Sequence, residues 1–148
     1  MKIAIISNEF PPLMSSGSVQ VRDLANDFVE LGHNISVYTS TYGQDKGLNI
    51  DTFRNLRIFR FRSLKTKEIN YFRRTINEIL TPYIMLNEIK KSSIADEKYD
   101  AVIWYSPTIF LSPVASYLKT ISDCPGYLIL RDIFPDWAVD TGIIGKGL

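Results

Sequence analysis

KIAIIS, residues 2–7, is an apolar run that carries no charge after Lys2. Because both faces of such a strand are apolar, it is typical of a central strand in a parallel sheet. Apolar side chains then recur at helical spacing, at Val21, Leu24, Ala25, Phe28 and Leu31. ISVYTS, residues 35–40, predicts a second strand. We therefore expect a strand–loop–helix–strand unit, with Ser18 as the helix N-cap and Gly32 as its stop.

The same alternation continues to residue 130. Strands are predicted at Leu56–Phe61, Asp100–Tyr105 and Tyr127–Leu130, and helices at residues 69–91 and Ile109–Ile121. Pro82 should kink or split the first of these helices, and residues 41–55 are expected to form a polar loop. Five strands alternating with helices predict an α/β fold with a Rossmann-like, doubly wound parallel sheet and helices on both faces.

Composition excludes several classes of protein. A chain of 148 residues with 45% hydrophobic residues predicts one globular domain over residues 1–148. A net charge of +1 argues against a generally basic nucleic-acid binder, and we expect no nucleic-acid partner. The single cysteine, Cys124, excludes an internal disulfide and a zinc site of several thiolates. The single histidine, His33, leaves no convincing Ser-His-Asp triad and no His-rich metal site.

Ligands of such sheets bind outside the carboxyl ends of the strands, which selects residues 8–18, 41–47, 106–109 and 131–137. In the first segment, Ser16, Gly17 and Ser18 stand where a loop enters a helix. Backbone N–H groups at a helix N-terminus can hold a phosphate. The loop matches neither the dinucleotide fingerprint nor the P-loop, so an ordinary capped loop is the alternative.

The segment Leu130–Trp137 carries the second set of candidates. Arg131 and Asp132 follow a strand that should be buried, so both fall at the edge where ligands bind. A carboxylate there can orient a hydroxyl or accept its proton. The alternative is that Asp132 pairs with Arg131 or caps the next helix.

A strongly basic stretch covers residues 54–74. Its cations outnumber its one acid, Glu68, by seven, and they are Arg54, Arg57, Arg60, Arg62, Lys65, Lys67, Arg73 and Arg74. Aromatic residues, Phe72 among them, are interleaved with these cations. The pattern fits an anionic membrane surface, single-stranded nucleic acid, or an edge strand that is charged to prevent pairing.

Several segments resemble the amino-terminal half of family 4 glycosyltransferases. They are Asn8–Pro12 (NEFPP) with Gly17, Leu24-Ala25, and Leu31–Val37 (LGHNISV). Tyr105–Phe110 (YSPTIF) and Leu130–Trp137 (LRDIFPDW) resemble the subgroup that makes colanic acid and O-antigen, including fucosamine transferases. The usual glycine pair appears here as Ser16-Gly17, and Ile133, Phe134 and Asp136 replace the usual residues of the second motif.

The resemblance implies a two-domain GT-B fold. The amino-terminal domain binds the acceptor, and the carboxyl-terminal nucleotide-binding domain, absent from these 148 residues, binds most of the sugar nucleotide. It also implies retaining transfer without metal or cofactor in the synthesis of a surface polysaccharide. The acceptor is then a lipid-linked saccharide, and the enzyme is cytoplasmic and peripheral at the inner face of the bacterial inner membrane.

These considerations give the following expectations. Asp132 is the candidate catalytic residue, and Ser16, Gly17, Ser18, Ser106 and Arg131 are candidates for substrate binding. The candidate membrane residues are Arg57, Arg60, Arg62, Lys65, Lys67, Phe72, Arg73 and Arg74. One alternative is the non-catalytic, membrane-recruiting half of a split glycosyltransferase. Another is a nucleotide-binding or receiver-like domain, although a receiver needs clustered acids and Glu9 stands alone after the first strand.

Overall fold

The computed structural model describes residues 1–45, 47–66, 69–106 and 109–131. Within these ranges six strands form one sheet: β1 (Lys2–Ser7), β2 (Asn34–Tyr42), β3 (Leu48–Phe53), β4 (Leu56–Ser63), β5 (Ala101–Ser106) and β6 (Gly126–Leu130). The helices are α1 (Ser16–Glu30), α2 (Tyr71–Lys91) and α3 (Ser112–Ser122), and a 3₁₀ turn spans Ile109–Leu111.

The strand order is β3-β4-β2-β1-β5-β6, and every neighbouring pair is parallel except β3 and β4. The apolar strand β1 lies at the centre, as its sequence predicts. The strand order reverses there, because β2 flanks β1 on one side and β5 on the other. This topology confirms the predicted Rossmann-like fold and places the switch point, where ligands of such sheets bind, between the ends of β1 and β5.

Helices cover both faces of the sheet. Successive strand residues point to opposite sides, and apolar residues on both sides need a helix to bury them. On one face Ile3, Ile5 and Val37 pack against Val21 and Ala25 of α1. On the other face a larger cluster joins the sheet to α2 and α3, and it contains Ile6, Tyr38, Phe59, Phe61, Met85, Ile89, Val114 and Leu118. Each large side chain buried in these clusters contributes about 1.5–3 kcal/mol to folding.

Helix α1 begins earlier than the sequence predicts. Its N-cap is Ser15, whose Oγ accepts a hydrogen bond from the backbone N–H of Ser18 at 3.1 Å. The prediction of Ser18 as N-cap is therefore wrong, because a capping side chain binds an N–H group two or three residues further on. The helix ends at Glu30, and Gly32 follows it in the left-handed region with φ +83°.

Strand β3 lies within the segment that the sequence predicts as a loop. It pairs with β4 through a tight hairpin whose central residues, Arg54 and Asn55, both have positive φ. Two such residues are typical of a type I′ turn, which matches the twist of the flanking strands. Since β4 lies between β2 and β3, the alternative of a charged edge strand over residues 57–62 is also wrong.

Helix α2 continues through Pro82 from Tyr71 to Lys91, so the proline does not split it. The Thr81 hydroxyl donates to the carbonyl of Asn77 at 2.7 Å, the i−4 hydrogen bond that threonine can form within a helix. The predicted helix at Ile109–Ile121 is a 3₁₀ turn followed by α3, with Pro113 in the first turn of α3. The predicted loop Asp132–Trp137 lies outside the described residues.

Candidate functional site

Three segments meet at the switch point beside Gly17, the second residue of α1. A Cβ atom at Gly17 would lie 3.0 Å from Glu9 Oε2, 3.3 Å from Tyr105 Cε1 and 3.6 Å from Arg131 Nη1. Glu9 belongs to the loop after β1, Tyr105 to the end of β5, and Arg131 directly follows β6. A side chain at residue 17 would be tight against Glu9 and Tyr105, and these two groups would have to move by a few tenths of an ångström to admit it.

Two short hydrogen-bonded turns fix Glu9 in this position. The Ser7 hydroxyl donates to the Glu9 carbonyl at 2.9 Å, and the Glu9 N–H donates to Ser7 Oγ at 3.2 Å. The carboxylate accepts a hydrogen bond from the hydroxyl of Ser15, the N-cap of α1. A negative charge at this end is stabilised by the positive end of the helix dipole.

Tyr105 connects α1 to Arg131. Its hydroxyl donates to Gln20 Oε1 at 2.6 Å and accepts a hydrogen bond from Arg131 Nη1 at 3.3 Å. Tyr105 is buried, whereas Arg131 is exposed. The buried tyrosine therefore holds the guanidinium at the mouth of the site, where it can meet an anionic or hydroxyl-bearing ligand.

The electrostatics differ from those of a simple phosphate cradle. The N–H of Ser18 is already bound to Ser15, and the Glu9 carboxylate lies beside Gly17. A phosphate that approaches the N-terminus of α1 would meet this carboxylate as well as the compensating charge of Arg131. Ser16 is exposed, whereas Ser18 is fully buried and its hydroxyl has no hydrogen-bond partner within the described ranges.

The structure thus brings Gly17 and Arg131 together and adds three residues that the sequence analysis did not select as site residues: Glu9, Gln20 and Tyr105. Ser106 ends β5 and pairs in register with Leu130. Asp132 lies outside the described residues, although Arg131, its neighbour in sequence, is at the site. The position of Glu9, two residues after β1, was the one sequence signal for the added carboxylate.

Two of the candidate membrane arginines are held in separate ion pairs. Arg57 binds Glu97 with both terminal nitrogens, at 3.1 and 2.6 Å. Arg60 Nε contacts Asp51 Oδ2 at 2.6 Å, and Nη2 donates to the Pro11 carbonyl at 2.7 Å. Because residues 57 and 60 point to opposite faces of β4, the basic stretch does not form one continuous surface.

The remaining candidates lie nearer to α2. Arg62 is exposed on β4, Lys65 is half-buried, and Lys67 lies outside the described residues. Arg74 pairs with Glu78 at 2.8 Å. Phe72 and Arg73 are exposed in the first turn of α2, where Phe72 begins a set of exposed apolar residues that also contains Ile76, Ile79, Leu80 and Tyr83.

These five residues form what we call the α2 stripe. Phe72 is 75% exposed and Tyr83 is 57% exposed, and their three companions are each about 40% exposed. The spacing from Phe72 to Ile76, Ile79 and Tyr83 keeps the side chains on one side of the helix. Phe72 and Arg73 therefore place one aromatic and one basic residue of the 54–74 stretch at the start of this apolar surface.

Within the described part of the chain, no three His, Cys, Asp or Glu side chains are grouped so that they could hold a metal ion. None of the helices described is both long and apolar enough to cross a membrane. Burial raises the pKa of the half-buried Cys124 thiol, which disfavours its reactive thiolate form.

No protein-family model and no curated protein sequence matches the chain. Solved structures do resemble it. The catalytic domain of starch synthase IV from Arabidopsis thaliana, bound to ADP and acarbose, is similar with a TM-score of 0.61 and 12% identity over 84% of this chain. The E. coli trehalose-6-phosphate synthase bound with UDP-2-fluoro glucose is similar with a TM-score of 0.57 and 10% identity over 95% of this chain.

The chain spans only 32% and 37% of the lengths of these two glycosyltransferases. It is also similar, with a TM-score of 0.55 and 15% identity, to the C-terminal domain of a hydrogenase from Pyrococcus furiosus, of which it covers 90%. At such low identities the similarity establishes a shared fold, the Rossmann-like domain that GT-B glycosyltransferases contain.

Proposed function

We propose that this chain is the acceptor-side domain of a retaining glycosyltransferase, which transfers a sugar from a sugar nucleotide to a saccharide acceptor. The observation that carries the proposal is the polar cluster at Gly17, where Glu9 and Arg131 flank the N-terminus of α1 at the switch point. Support comes from the two glycosyltransferases of similar fold, whose structures contain ADP and UDP-2-fluoro glucose. The motifs at residues 8–17 and 130–137 support the same function.

The proposed chemistry follows from the charged groups beside Gly17. As the sugar leaves its nucleotide, negative charge develops on the departing diphosphate. Arg131 and the positive end of α1 would stabilise that charge. Ser16, Gly17 and Ser18, the first residues of α1, would form the edge of the phosphate site. Asp132, which follows Arg131 in sequence, would position the acceptor hydroxyl or accept its proton, and Ser106 would contact substrate.

A second domain completes the proposed enzyme. Because this chain matches about a third of each glycosyltransferase above, we propose that a carboxyl-terminal domain binds most of the sugar nucleotide. The loop after β1 would supply only one side of the donor site. We therefore expect little or no turnover from these 148 residues alone.

We further propose that the acceptor is lipid-linked and that the protein binds the inner face of the bacterial inner membrane to reach it, in the synthesis of a surface polysaccharide. The α2 stripe supports this proposal. Its apolar side chains can enter the interface between lipid headgroups and acyl chains, while Arg73 beside Phe72 meets anionic headgroups. Each cation near such a surface contributes about 1 kcal/mol.

The test is a transfer assay with the natural gene product that carries this chain. Bacterial membranes with their lipid-linked saccharides serve as acceptors, and labelled UDP- and GDP-sugars serve as donors. We expect label to enter the lipid fraction, and we expect Asp132→Asn to lower turnover by about 10²–10⁴-fold, as for a lost general acid–base. Asp27→Asn, a matched change at an exposed position of α1, should leave turnover unchanged.

Failure to transfer sugar from every donor would contradict the proposed function. Normal turnover by a well-folded Asp132→Asn protein would show instead that this carboxylate has no role at the acceptor hydroxyl. Thermal unfolding of each variant is measured alongside, because loss of activity by unfolding must be separated from loss of chemistry.

A further inference from the structure

A concave surface lies on the β2 side of β1, whereas Gly17 and Tyr105 lie towards β5. It is an open groove of about 590 Å³. Its walls are Pro12 from the loop after β1, residues 41–45 at the end of β2, and Asn49, Asp51 and Arg60 on β3 and β4. We call it the β2–β3 groove. Its volume falls within the range of about 300–1,000 Å³ that is usual for small-molecule sites.

Hydrogen bonds between separate segments set the shape of this groove. Arg60 is only 15% exposed, and it joins Asp51 on β3 to the Pro11 carbonyl in the loop after β1. The side-chain amide of Gln44 donates to the Arg60 carbonyl at 2.9 Å, which fixes the segment after β2. A groove that is already ordered binds a ligand without the entropic cost of ordering its walls.

The side chains that line the groove are those that recognise a sugar ring. Tyr42 is 64% exposed at the end of β2, where its flat ring can cover the apolar face of a pyranose. Sugar hydroxyl groups can form hydrogen bonds with two kinds of side chain in the groove. These are the amides of Gln44 and Asn49 and the carboxylates of Asp45 and Asp51. Sites of this kind combine an aromatic surface with a few polar groups that fix orientation.

Charge narrows the class of ligand. The described lining residues include two carboxylates, Asp45 and Asp51, and one cation, Arg60. The cation is already paired with Asp51. Among the described lining residues, an anion such as a phosphate or a uronic acid would therefore meet two carboxylates and one cation that is already paired. An uncharged sugar would not be repelled by them.

We propose that the β2–β3 groove binds one uncharged pyranose ring, stacked on Tyr42 and hydrogen-bonded through its hydroxyls to Asp45, Asn49 and Asp51. That this ring belongs to the acceptor rests on the proposed function, but binding itself does not. The loop after β1 separates the ring from Gly17, so the groove holds a unit of the saccharide beside the reacting one. It thus selects the acceptor by a sugar that takes no part in bond formation.

The test titrates the whole 148-residue chain, labelled with ¹⁵N, with the methyl glycosides of glucose, galactose, mannose and N-acetylglucosamine. At least one of these should bind in the millimolar range and shift the amide signals of residues 41–51 and Arg60. Tyr42→Ala should weaken that binding about tenfold, because the stacking surface is lost. Tyr127→Ala is the matched control, since this tyrosine on β6 is 59% exposed and lies outside the groove, and it should change nothing.

Three results would overturn the proposal: no neutral glycoside shifts these signals, Tyr42→Ala binds normally, or methyl glucuronide binds as tightly as the neutral sugars. If Tyr42→Ala fails to fold, Tyr42→Phe and Asp45→Asn replace it. Phenylalanine should retain binding because it keeps the ring, and Asp45→Asn should raise the affinity for the glucuronide because a carboxylate is lost.

The outcome is separable from that of the proposed function, because no donor is present in the titration. Glycoside binding in the groove, with no sugar transfer by the natural gene product, would refute the proposed function but support pyranose binding in the groove. Sugar transfer with an unchanged KM for the acceptor in Tyr42→Ala would refute the assignment of the bound ring to the acceptor and support the proposed function.

Discussion

At the scale of single residues, Glu97 is the most connected carboxylate in the described chain. It lies away from the candidate site, at the amino-terminal end of the sheet, and it accepts hydrogen bonds from Arg57 and from the Tyr99 hydroxyl. Lys2 Nζ lies 3.1 Å from the same carboxylate. Burial pushes the pKa of Glu97 upward, but the hydrogen bonds from Arg57, Lys2 and Tyr99 outweigh burial and hold the pKa below its usual value.

Glu97→Gln should therefore lower the free energy of unfolding by about 1–2 kcal/mol at neutral pH, less than a fully buried pair because Arg57 and Lys2 are partly exposed. Glu78→Gln, which breaks a single i,i+4 pair with the exposed Arg74, should cost only about 0.5 kcal/mol. Urea unfolding measures both. An equal cost in the two variants would contradict the special role of Glu97.

The lowered pKa also sets the pH dependence. The stabilisation by Glu97 is fully present above its usual pKa of 4.5 and is lost as the pH falls below that value through the lower pKa of the folded state. The difference in unfolding free energy between the native protein and Glu97→Gln should therefore shrink with acidification below pH 4.5. A difference that grows on acidification would refute this account.

Gly17 makes the second prediction at this scale. A valine there would meet Glu9 at 3.0 Å and Tyr105 at 3.3 Å, so Gly17→Val should destabilise the protein by about 1–3 kcal/mol. Ser16→Val places the same side chain at an exposed neighbouring position and should cost less. Thermal unfolding compares the two. A Gly17→Val protein as stable as Ser16→Val would show that the close approach at Gly17 is not required.

At the scale of secondary-structure elements, the α2 stripe carries a prediction about membranes. Phe72→Ser combined with Arg73→Glu should weaken binding to vesicles of anionic lipid at least tenfold, because insertion and attraction are both lost. Binding of the native protein should fall strongly as salt rises to about 0.5 M, since the Debye length is then about 4–5 Å and the attraction between Arg73 and anionic lipid is screened. Sedimentation with vesicles measures the bound fraction.

The control for this experiment is Lys98→Glu, which changes the net charge by the same amount as Arg73→Glu. It removes an exposed cation outside the stripe, so it should leave most vesicle binding in place. Equal loss in the two variants would mean that net charge alone drives binding. Equal binding of the native protein to neutral vesicles would contradict the electrostatic contribution.

Sequence patterns predicted the elements whose periodicity is set by burial, and failed where other forces act. Strand β1 and helix α1 were found because their apolar residues face the core. Strand β3 was missed because residues 50–53 are exposed, so no alternation of apolar residues marks it. Pro82 was expected to kink or split α2. It does not split the helix, because packing of Met85 and Ile89 in the core outweighs the lost backbone hydrogen bond.

At the scale of the whole molecule, the location of the candidate site followed from sequence, but its composition did not. The rule that ligands bind at the carboxyl ends of parallel strands selected Gly17 and Arg131 before their proximity was known. The hydrogen bond from Tyr105 to Gln20 joins residues 85 positions apart, which no local pattern reveals. Asn49 and Asp51 of β3 line the β2–β3 groove, so the sequence analysis could not predict the groove without predicting this strand.

The proposed function requires that this chain binds the acceptor and supplies only one side of the donor site. Calorimetry of the 148-residue chain with a panel of UDP- and GDP-sugars tests this most directly. We expect dissociation constants weaker than about 1 mM, because the Glu9 carboxylate beside Gly17 repels a phosphate. Micromolar binding of any sugar nucleotide to this chain would contradict the assignment to the acceptor side.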